Sequence, residues 1–422
     1  MAPIQLFAQT VLRKYILSQP SANPSLILST LVQAIKESPT LAITAKAGKY
    51  KAEGRPIIGL AAGEPDFDTP QHIKDAAKQA IDNGFTKYTP VSGIPGLKKA
   101  IVNKFKNENG FDYGLNEVIV GVGGKQTIFN LCLAVLNKGD EVIVPAPYWV
   151  SYADIALVAE ATPVIIECGI EQGFKLTAAQ LEAAITPKTK LFMINSPSNP
   201  TGSVYSLDEL KALGEVLLKN PHVLVATDDM YEHVNLTGDK FYNILNATPV
   251  LKDRCIVLNG VSKAYSMTGW RIGYAAGPAY IIKAMEILQS QSTSNPTSIS
   301  QVAAQAALEG SQDCIIPMVT AFKERHKYVV DRFNKMPGLS CLMAGGAFYA
   351  FPDARGAITA LHKAGKINAA TDMALAEYLL ESFDVAVVPG SAFGAEGYFR
   401  ISFATSMDNL RNALDRIEKA LN

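Results

Sequence analysis

The sequence predicts an α/β protein whose large domain contains a mostly parallel, seven-stranded sheet flanked by helices, together with a smaller α+β domain. From about residue 115 to residue 277, short apolar segments of β-type composition alternate with segments of helical periodicity. Such alternation favours parallel strands that are covered by helices on both faces. After about residue 310, long helical segments are followed by short apolar ones, which indicates the smaller domain.

Seven apolar segments are predicted to be the strands of the large sheet. They are EVIVGV, DEVIVPA, TPVIIEC, TKLFMINS, HVLVATDD, RCIVLN and RIGYAAG. Helices are predicted in KQTIFNLCLAVLNK, LTAAQLEAAI and SLDELKALGEVLLKN. The last of these begins with a serine, which can cap the helix by accepting a hydrogen bond from a free backbone N–H. Because ligands bind at the carboxyl ends of strands in such sheets, polar residues there are the candidates for function.

The length of 422 residues is large for one compact core and indicates more than one domain. We expect residues 1–28 to be an N-terminal extension, 29–62 and 311–422 to form the small domain, and 63–310 to form the large domain. The segment MAPIQLFAQTVLRKYILSQPS lacks acidic residues, as transit peptides do. Arginine and serine are sparse in it, however, so a flexible extension is the favoured interpretation.

Composition argues against several classes of partner. The formal net charge is zero, with 39 basic and 39 acidic residues, so no basic field exists to hold nucleic acid or an anionic membrane. No apolar segment approaches the roughly 20 residues that cross a bilayer. The cysteines are odd in number, widely spaced and without a CxxC pair, which predicts buried, reduced thiols in a cytoplasmic protein. These are Cys132, Cys168, Cys255, Cys314 and Cys341.

The segment GVGGKQ, residues 121–126, follows the first predicted strand of the sheet and begins a helix. Glycines at this place allow backbone N–H groups to approach a phosphate at the helix N-terminus. The dinucleotide fingerprint does not fit, because Gln126 stands where it needs glycine, and the P-loop does not fit, because Lys125 is not followed by Ser or Thr. Alone, the segment is equally typical of a tight turn.

Two further polar segments follow strands. In NSPSNPTG, residues 195–202, proline and glycine indicate a turn, but Asn199 would present a carboxamide at the edge of the sheet. In TDDMYEH, residues 227–233, Asp228 and Asp229 could simply cap a following helix. His233 is more typical of a structural histidine than of a base.

Three cations lie among apolar residues. Lys263 follows CIVLN, and burial would lower its pKa and make its amine a nucleophile able to form a Schiff base. Arg271, eight residues later, is expected to point into the interior as well, and its planar fork suits a phosphate. The alternative for these two is a pair of snorkelling surface cations. Arg400, within GYFRISFA, is expected to pair with an anion, either a protein carboxylate or a ligand.

In combination, a phosphate loop, an asparagine, an aspartate with a tyrosine, a lysine and an arginine follow successive strands, which is the equipment of pyridoxal-phosphate chemistry. The sequence resembles class I aminotransferases of fold type I, and within them the bacterial-type aspartate aminotransferases. The resemblance extends from about Ser29 to the C-terminus. Its motifs are AAGEPDFDTP, TKYTPVSGIPGLKKA, GGKQ, PYWVSY, NSPSNPTG, DDMYEH, SKAYSMTGWRIGY and VVPGSAFG through FRISFATS.

The resemblance implies pyridoxal 5′-phosphate as the cofactor. It implies that Lys263 binds the cofactor as a Schiff base and moves the proton of the substrate Cα, and that Asp228 pairs with the pyridine nitrogen. Tyr231 and Asn199 would contact the ring O3′, and Trp149 would stack on the ring. The phosphate would be held by Gly123, Gly124, Lys125, Ser262, Arg271 and Tyr88 of the partner subunit.

The resemblance also implies how substrates bind. Arg400 would take the α-carboxylate, assisted by Asn199 and the backbone N–H of Gly63. The arginine with which the animal-type branch binds the distal carboxylate is absent from AMEILQSQSTSNP. The candidates for that carboxylate are Ser38, Thr40, Lys125, Trp149 and Ser292 of the partner subunit. In two further departures, Gly260 replaces a phosphate-binding serine of the animal-type branch and Asp229 replaces the commoner glutamate.

The implied reaction moves the amino group of L-aspartate to 2-oxoglutarate in a ping-pong cycle, giving oxaloacetate and L-glutamate, in a cytoplasmic homodimer with shared active sites. An aromatic, alanine or prephenate aminotransferase is the alternative within the same class. A lyase or cyclase of the same fold would instead release pyruvate or ammonia without a keto-acid acceptor. A transcription regulator on this fold is disfavoured, because the residues before Ser29 are too few and insufficiently basic for a DNA-binding domain.

Overall fold

The computed structural model describes residues 29–35 and 39–422. These fall into two units. The first contains helix α1 (Thr30–Ala34), which Ser29 caps by accepting a hydrogen bond from the backbone N–H of Val32 at 3.4 Å. The second contains all the other elements described below. The expected N-terminal extension, residues 1–28, and the candidate Ser38 lie outside the described residues.

A seven-stranded sheet forms the framework of the second unit. Its strands are β2 (Val118–Gly121), β3 (Glu141–Ala146), β4 (Thr162–Glu167), β5 (Thr189–Asn195), β6 (Leu224–Asp228), β7 (Cys255–Gly260) and β8 (Gly273–Ala276). Their spatial order is β2-β8-β7-β6-β5-β3-β4, in which β8 is antiparallel to both of its neighbours and every other pair is parallel. The predicted fold class is confirmed, and each strand lies in the segment where it was expected.

Both faces of this sheet are buried, which explains why its inner strands are continuous apolar segments rather than alternating ones. Along β5, Leu191 and Met193 pack into one hydrophobic cluster, whereas Phe192 and Ile194 pack into another. Successive side chains of a strand point to opposite faces, so every strand of this sheet other than β4 contributes to both clusters. The edge strand β4 is the exception, with partly exposed residues along most of its length.

Helices surround the sheet and extend beyond it. They are α2 (Pro39–Ala52), α3 (Gln71–Asp82), α4 (Pro95–Lys104), α5 (Gly123–Val135), α6 (Ser151–Val158), α7 (Ala178–Ala184), α8 (Leu207–Lys219), α9 (Ile244–Ala247), α10 (Ala279–Ser290), α11 (Ser298–Glu309), α12 (Ile316–Phe333), α13 (Arg355–Lys363), α14 (Asp372–Phe383) and α15 (Met407–Leu421). The predicted serine cap is present: Ser206 accepts from the N–H of Glu209, whose carboxylate accepts from the N–H of Ser206. Helix α5 begins two residues earlier than predicted, at Gly123.

Short strands join the region before the large sheet to the region after it. Strand β1 (Ile58–Gly59) pairs in parallel with β10 (Val385–Ala386). Strands β11 (Val388–Pro389), β12 (Phe399–Ser402) and β9 (Tyr349–Ala350) form a small antiparallel sheet in that order. The assignment of residues 29–62 and 311–422 to one small domain stays a prediction, which the pairing of β1 with β10 supports.

All five cysteines have free thiols, as predicted. Cys314 is only partly buried, so the prediction of burial is wrong for this residue. It lies in the short 3₁₀ helix Gln312–Ile315, in which only Ile315 is buried. In the part of the chain that the structure describes, no helix is both long and apolar enough to span a bilayer.

Candidate active site

The candidate residues meet at the carboxyl edge of the large sheet because neighbouring parallel strands end there together. Asn195 at the end of β5 is the register partner of Asp228 at the end of β6. The Asn195 carboxamide donates to the backbone oxygen of Asp228 at 2.8 Å and accepts from the backbone N–H of Asn199 at 2.8 Å. Strand β7 ends at Gly260, three residues before Lys263. Asn195, which the sequence analysis missed as a candidate, therefore ties two candidate segments together.

The segment GVGGKQ and Arg271 form an anion-binding corner. Helix α5 starts directly after β2, and Gly123 has the left-handed φ of +80°. A side chain at Gly123 would overlap the guanidinium of Arg271, so the two groups lie in contact. The free N–H groups of the helix N-terminus and a permanent positive charge therefore converge, as a phosphate site requires.

The expectation that Arg271 points into the interior is wrong, because its side chain is exposed. The residue has a left-handed φ of +57° and ends the 3₁₀ helix Thr268–Trp270, so it precedes the buried strand β8 rather than belonging to it. Its Nη1 donates to the backbone oxygen of Thr268 at 2.8 Å. The guanidinium is thus held by one backbone contact at the surface of the anion-binding corner.

Lys263 is partly buried, and its Nζ donates to the backbone oxygen of Gly63 at 2.5 Å. The amine lies 5.7 Å from the ring centre of Tyr231 and 5.8 Å from that of Phe348. Burial, reinforced by the positive charge of Arg400, lowers the pKa of Lys263 to about 8. A minor fraction of the amine is therefore unprotonated near neutral pH, far more than for an ordinary lysine, and this fraction is able to act as a nucleophile or a base.

Asp228 is a buried carboxylate held by two donors. Its Oδ2 accepts from the hydroxyl of Tyr152 at 2.5 Å, and its Oδ1 accepts from the backbone N–H of Met230 at 3.2 Å. Burial raises the pKa of Asp228, and these hydrogen bonds oppose the rise. The interpretation of this segment as a helix cap does not hold, since the next helix along the chain begins at Ile244.

Asp229 lies next to Asp228 in the chain but in a different environment. It is fully buried, and its carboxyl oxygens contact the hydroxyl of Thr227 and the carboxamide of Asn243, each at 2.6 Å. Burial and the neighbouring Glu232 raise the pKa of Asp229 well above its usual range. Of the two aspartates, only Asp228 contacts the candidate site.

A buried ion pair anchors the segment that follows. The Lys104 ammonium contacts the carboxylate of Glu232, which also accepts from the carboxamides of Asn109 at 3.0 Å and Asn259 at 2.8 Å. Although burial opposes ionisation, the positive charge of Lys104 lowers the pKa of Glu232 to about 2. The ring of His233 hydrogen-bonds Glu108 at 2.8 Å, which agrees with its interpretation as a structural histidine.

Arg400 is a buried cation whose hydrogen bonds go to neutral groups. Its Nη1 donates to the Asn199 carboxamide at 2.9 Å and its Nη2 to the backbone oxygen of Ala61 at 2.6 Å, while its buried Nε has no partner. Its guanidinium carbon lies 4.4 Å from the ring centre of Tyr349 and 4.9 Å from that of Phe393. Among the described residues, no carboxylate forms a salt bridge with it, so a ligand is the candidate anion.

Trp149 and Lys125 lie together. The Lys125 ammonium is 5.0 Å from the Trp149 ring centre, and the Trp149 ring packs edge-on against Tyr152 at 5.4 Å. Partial desolvation of its ammonium and the positive charge of Arg271 lower the pKa of Lys125, although the residue as a whole is exposed. An exposed lysine on a flexible stem offers a less rigid contact than an arginine fork.

The remaining candidates differ in exposure. Thr40, Gly63 and Gly124 are partly buried and Ser262 is buried. Tyr88 is 92% exposed, and Ser292 is exposed with its hydroxyl directed to backbone oxygens of α10. Within a single chain, Tyr88 and Ser292 therefore do not take part in the site that the other candidate residues form.

Two tyrosines were missed by the sequence analysis. Tyr152 lies within the quoted motif PYWVSY, and Tyr349 lies in FYAFP, one of the short apolar segments after residue 310 that indicated the smaller domain. Periodicity shows that such residues are buried, but not which polar group their hydroxyls meet. Tyr152 meets Asp228, 76 positions away, and Tyr349 meets Tyr231, 118 positions away.

The sequence and the fold are similar to those of known transaminases. Residues 55–417 match the family described as aminotransferase class I and II. The chain is 62% identical to the aspartate/prephenate aminotransferase of Nitrosomonas europaea, over 93% of this chain and 99% of that protein. It is 54% identical to the aspartate/prephenate aminotransferase of Cereibacter sphaeroides, over 93% of this chain and 98% of that protein.

The chain is also similar to solved structures of aspartate aminotransferases. The crystal structure of the aspartate aminotransferase from Rhizobium meliloti superposes with a TM-score of 0.89 at 49% identity, covering 94% of this chain and 99% of the other. The aspartate aminotransferase from Thermus thermophilus with maleate gives a TM-score of 0.87 at 41% identity, covering 94% and 100%. The fold, the site and these similarities define an enzyme, a pyridoxal-phosphate-dependent transaminase. Within that class, the chain belongs to the aminotransferase class I and II family.

Proposed function

We propose that the protein transfers the amino group of L-aspartate to 2-oxoglutarate, with pyridoxal 5′-phosphate as its cofactor. The observation that carries the proposal is a lysine of lowered pKa and a buried aspartate at one edge of the large sheet, next to a buried arginine of the small sheet that has no carboxylate partner among the described residues. The relatives named as aspartate or aspartate/prephenate aminotransferases support the choice of an acidic amino acid.

The residues of the site fit this cofactor. The phosphate would bind at Gly123, Gly124, Lys125, Ser262 and Arg271, where any side chain at Gly123 would fill the space beside the guanidinium. Trp149 would cover one face of the ring, Asp228 would lie at the ring nitrogen, and Tyr231 with Asn199 would contact the ring oxygen. When bound, the cofactor supplies an electron-withdrawing ring that stabilises negative charge at the substrate Cα.

The protein's own groups would then move and hold protons. Lys263, whose pKa is about 8, would take the proton from the Cα of the amino donor and return a proton to the corresponding carbon of the keto-acid acceptor. Asp228, as a carboxylate with a hydrogen bond from Tyr152, would hold a proton on the ring nitrogen. The pKa of Lys263 lies close to neutral pH, where a general base combines the unprotonated form with useful basicity.

Arg400 would bind the substrate α-carboxylate. Its guanidinium is already oriented by Asn199 and Ala61, and each of its two Nη atoms keeps a second N–H for a ligand oxygen. A carboxylate bound by two parallel N–H groups is fixed in direction as well as in place. The distal carboxylate of aspartate would be met by Lys125, Thr40, Trp149, Ser38 and Ser292 of the partner subunit.

Prephenate is the second candidate amino acceptor. It is also a dicarboxylate and a 2-oxo acid, and relatives with 62% and 54% identity carry its name. The observation that favours it is the exposed, flexible Lys125, which can follow a distal carboxylate to more than one position. Activity with prephenate would therefore accompany activity with oxaloacetate rather than exclude it.

We further propose that the enzyme is a cytoplasmic homodimer in which Tyr88 of the partner subunit reaches the phosphate. The 92% exposure of the Tyr88 side chain in a single chain supports a contact outside that chain. Five free thiols support a reducing compartment.

The test of the proposed function is covalent trapping combined with a substrate panel. Borohydride reduction of the loaded enzyme, followed by peptide mapping, should place the pyridoxyl group on Lys263, and a label on another lysine would contradict the assignment. Aspartate, glutamate, phenylalanine and alanine are then compared as donors, with oxaloacetate, 2-oxoglutarate and prephenate as acceptors. Release of pyruvate or ammonia without an acceptor would instead identify a lyase.

A further inference from the structure

Tyr349 lies between two groups of the candidate site and has no role in the proposed function. It begins β9, is fully buried, and pairs in register with Ser402, two residues after Arg400. Its hydroxyl is 2.8 Å from the hydroxyl of Tyr231. The face of its ring lies 4.4 Å from the guanidinium carbon of Arg400, within the range of a cation–π contact.

The hydrogen bond between the two tyrosines has a direction that the chemistry of the site decides. Each hydroxyl carries one proton, so only one of the two can donate in this bond. Burial raises the pKa of both Tyr231 and Tyr349, so both protons stay in place near neutral pH. If Tyr231 donates its proton to the ring oxygen of the cofactor, its oxygen must accept the proton of Tyr349.

The ring of Tyr349 limits the positions open to Arg400. One side of the guanidinium faces Tyr349, and Phe393 lies 4.9 Å from the same guanidinium carbon. The hydrogen bonds to Asn199 and Ala61 fix two of its three nitrogens. The aromatic contacts therefore restrain the guanidinium plane in an orientation that can bind a carboxylate.

The backbone of Gly63, which accepts the hydrogen bond of Lys263, is also close to Tyr349. A side-chain carbon at Gly63 would lie 3.0 Å from the Tyr349 hydroxyl, so this backbone passes directly beside it. The oxygen of Gly63 is the acceptor of the Lys263 amine. Tyr349 is thus adjacent to the segments that carry three candidate functions.

We propose that Tyr349 is a positioning residue with two separable actions. Its hydroxyl donates to Tyr231 and directs the Tyr231 proton toward the cofactor, and its ring holds Arg400 in the orientation that binds the substrate α-carboxylate. This inference rests on the proposed function, because it takes the roles of Tyr231 and Arg400 from there.

Two substitutions separate the two actions. Tyr349→Phe removes the hydroxyl and keeps the ring, whereas Tyr349→Leu removes both. Tyr265→Phe is the matched control, since Tyr265 is also buried and donates its hydroxyl to Gln312 at 2.6 Å, outside the site. For each variant we would measure the cofactor dissociation constant of the apoenzyme, the pH midpoint of the absorbance of bound cofactor, and KM and kcat for aspartate.

The hydroxyl action predicts a cofactor effect. Tyr349→Phe should weaken cofactor binding about fivefold, as expected for one buried hydrogen bond. It should move the absorbance midpoint in the same direction as Tyr231→Phe, but less far, and leave KM for aspartate nearly unchanged. In a Tyr231→Phe background, Tyr349→Phe should have no further effect on the cofactor, because its only acceptor is gone.

The ring action predicts a substrate effect. Tyr349→Leu should raise KM for aspartate about fivefold or more above that of Tyr349→Phe, as expected for a desolvated cation–π contact. Equal KM values for the two variants would refute the ring action. A Tyr349→Phe enzyme whose cofactor constant and absorbance midpoint match those of Tyr265→Phe would refute the hydroxyl action. If Tyr231→Phe and Arg400→Lys were themselves unaltered, the proposed function would fail instead.

Discussion

The hydroxyl of Tyr152 lies 2.5 Å from Oδ2 of Asp228, and both residues are buried. A buried carboxylate without donors would tend to take up a proton, and burial does raise the pKa of Asp228. The hydrogen bond from Tyr152 opposes that rise and favours the ionised carboxylate. Together with the N–H of Met230, Tyr152 therefore helps Asp228 to hold a proton on another group instead of keeping one itself.

The two adjacent aspartates should respond differently to substitution. Asp228→Asn removes the charge that would pair with the ring nitrogen, so the rate of the half-reaction with aspartate should fall by several orders of magnitude. Asp229→Asn should lose little rate, because the carboxyl group of Asp229 contacts Thr227 and Asn243 rather than the candidate site, and the amide has a similar shape. Stopped-flow absorbance of the cofactor measures both rates. Equal losses would show that the wrong carboxylate has been assigned.

The reactivity of Lys263 in the apoenzyme should depend on pH with a midpoint near its pKa of about 8. Lysines in unstructured peptides titrate at about 10.4, so the shift is large. Acylation by a pulse of acetic anhydride at a series of pH values, followed by peptide mapping, measures the midpoint. Arg400→Met should move it upward, because the neighbouring positive charge is removed. A midpoint near 10 in the native protein would contradict the lowered pKa.

Gly123 should be required for cofactor affinity in a way that other left-handed glycines are not. Gly123→Ala places a methyl group against the guanidinium of Arg271, so the phosphate site should be displaced and the cofactor dissociation constant should rise at least tenfold, or about 1.4 kcal/mol. Gly139→Ala is the control, since Gly139 also has a left-handed φ, of +91°, but open space beside it. Equal effects of the two substitutions would assign the loss to backbone strain alone.

Lys125 should contribute to the discrimination between acidic and neutral donors. Lys125→Met removes the charge and approximately keeps the length of the side chain. The fall in kcat/KM for aspartate should correspond to a loss of about 1.5 to 3 kcal/mol in transition-state stabilisation, the range for a hydrogen bond to a charged group. The loss for phenylalanine should be smaller, because that substrate has no distal carboxylate. The comparison is made with both donors at the same saturating cofactor concentration. Equal losses would mean that Lys125 serves only the phosphate.

Tyr88 should act across the subunit interface. Tyr88→Phe and Lys263→Ala chains are each expected to be defective, but a mixed dimer would contain one site with both native residues. Activity after subunit exchange should therefore exceed the average of the two parent preparations. Exchange is verified independently with an affinity tag on one chain. Verified exchange without any gain would show that each site is built from one chain.

The sequence by itself determined the seven strands of the large sheet and the places where polar residues follow them. Apolar β-type segments that alternate with helical segments bury both faces of each strand when they form a parallel sheet covered by helices. Strand β5 shows this burial, because its residues pack alternately into two hydrophobic clusters. The motif around Lys263 also indicated the chemistry, because a lysine directly after a buried strand is typical of a Schiff-base site when Asp228 and Asn199 follow neighbouring strands.

Only the tertiary structure decided how these residues differ from their neighbours. Asp228 and Asp229 are adjacent in sequence, yet one meets Tyr152 and the other meets Thr227 and Asn243. Arg271 is exposed and has a left-handed φ, and periodicity reveals neither feature. Tyr349 reaches Tyr231 across 118 positions of the chain. The pattern of apolar residues fixes which face of a strand is buried, but the partner of each buried polar group depends on the order in which distant strands and loops pack together.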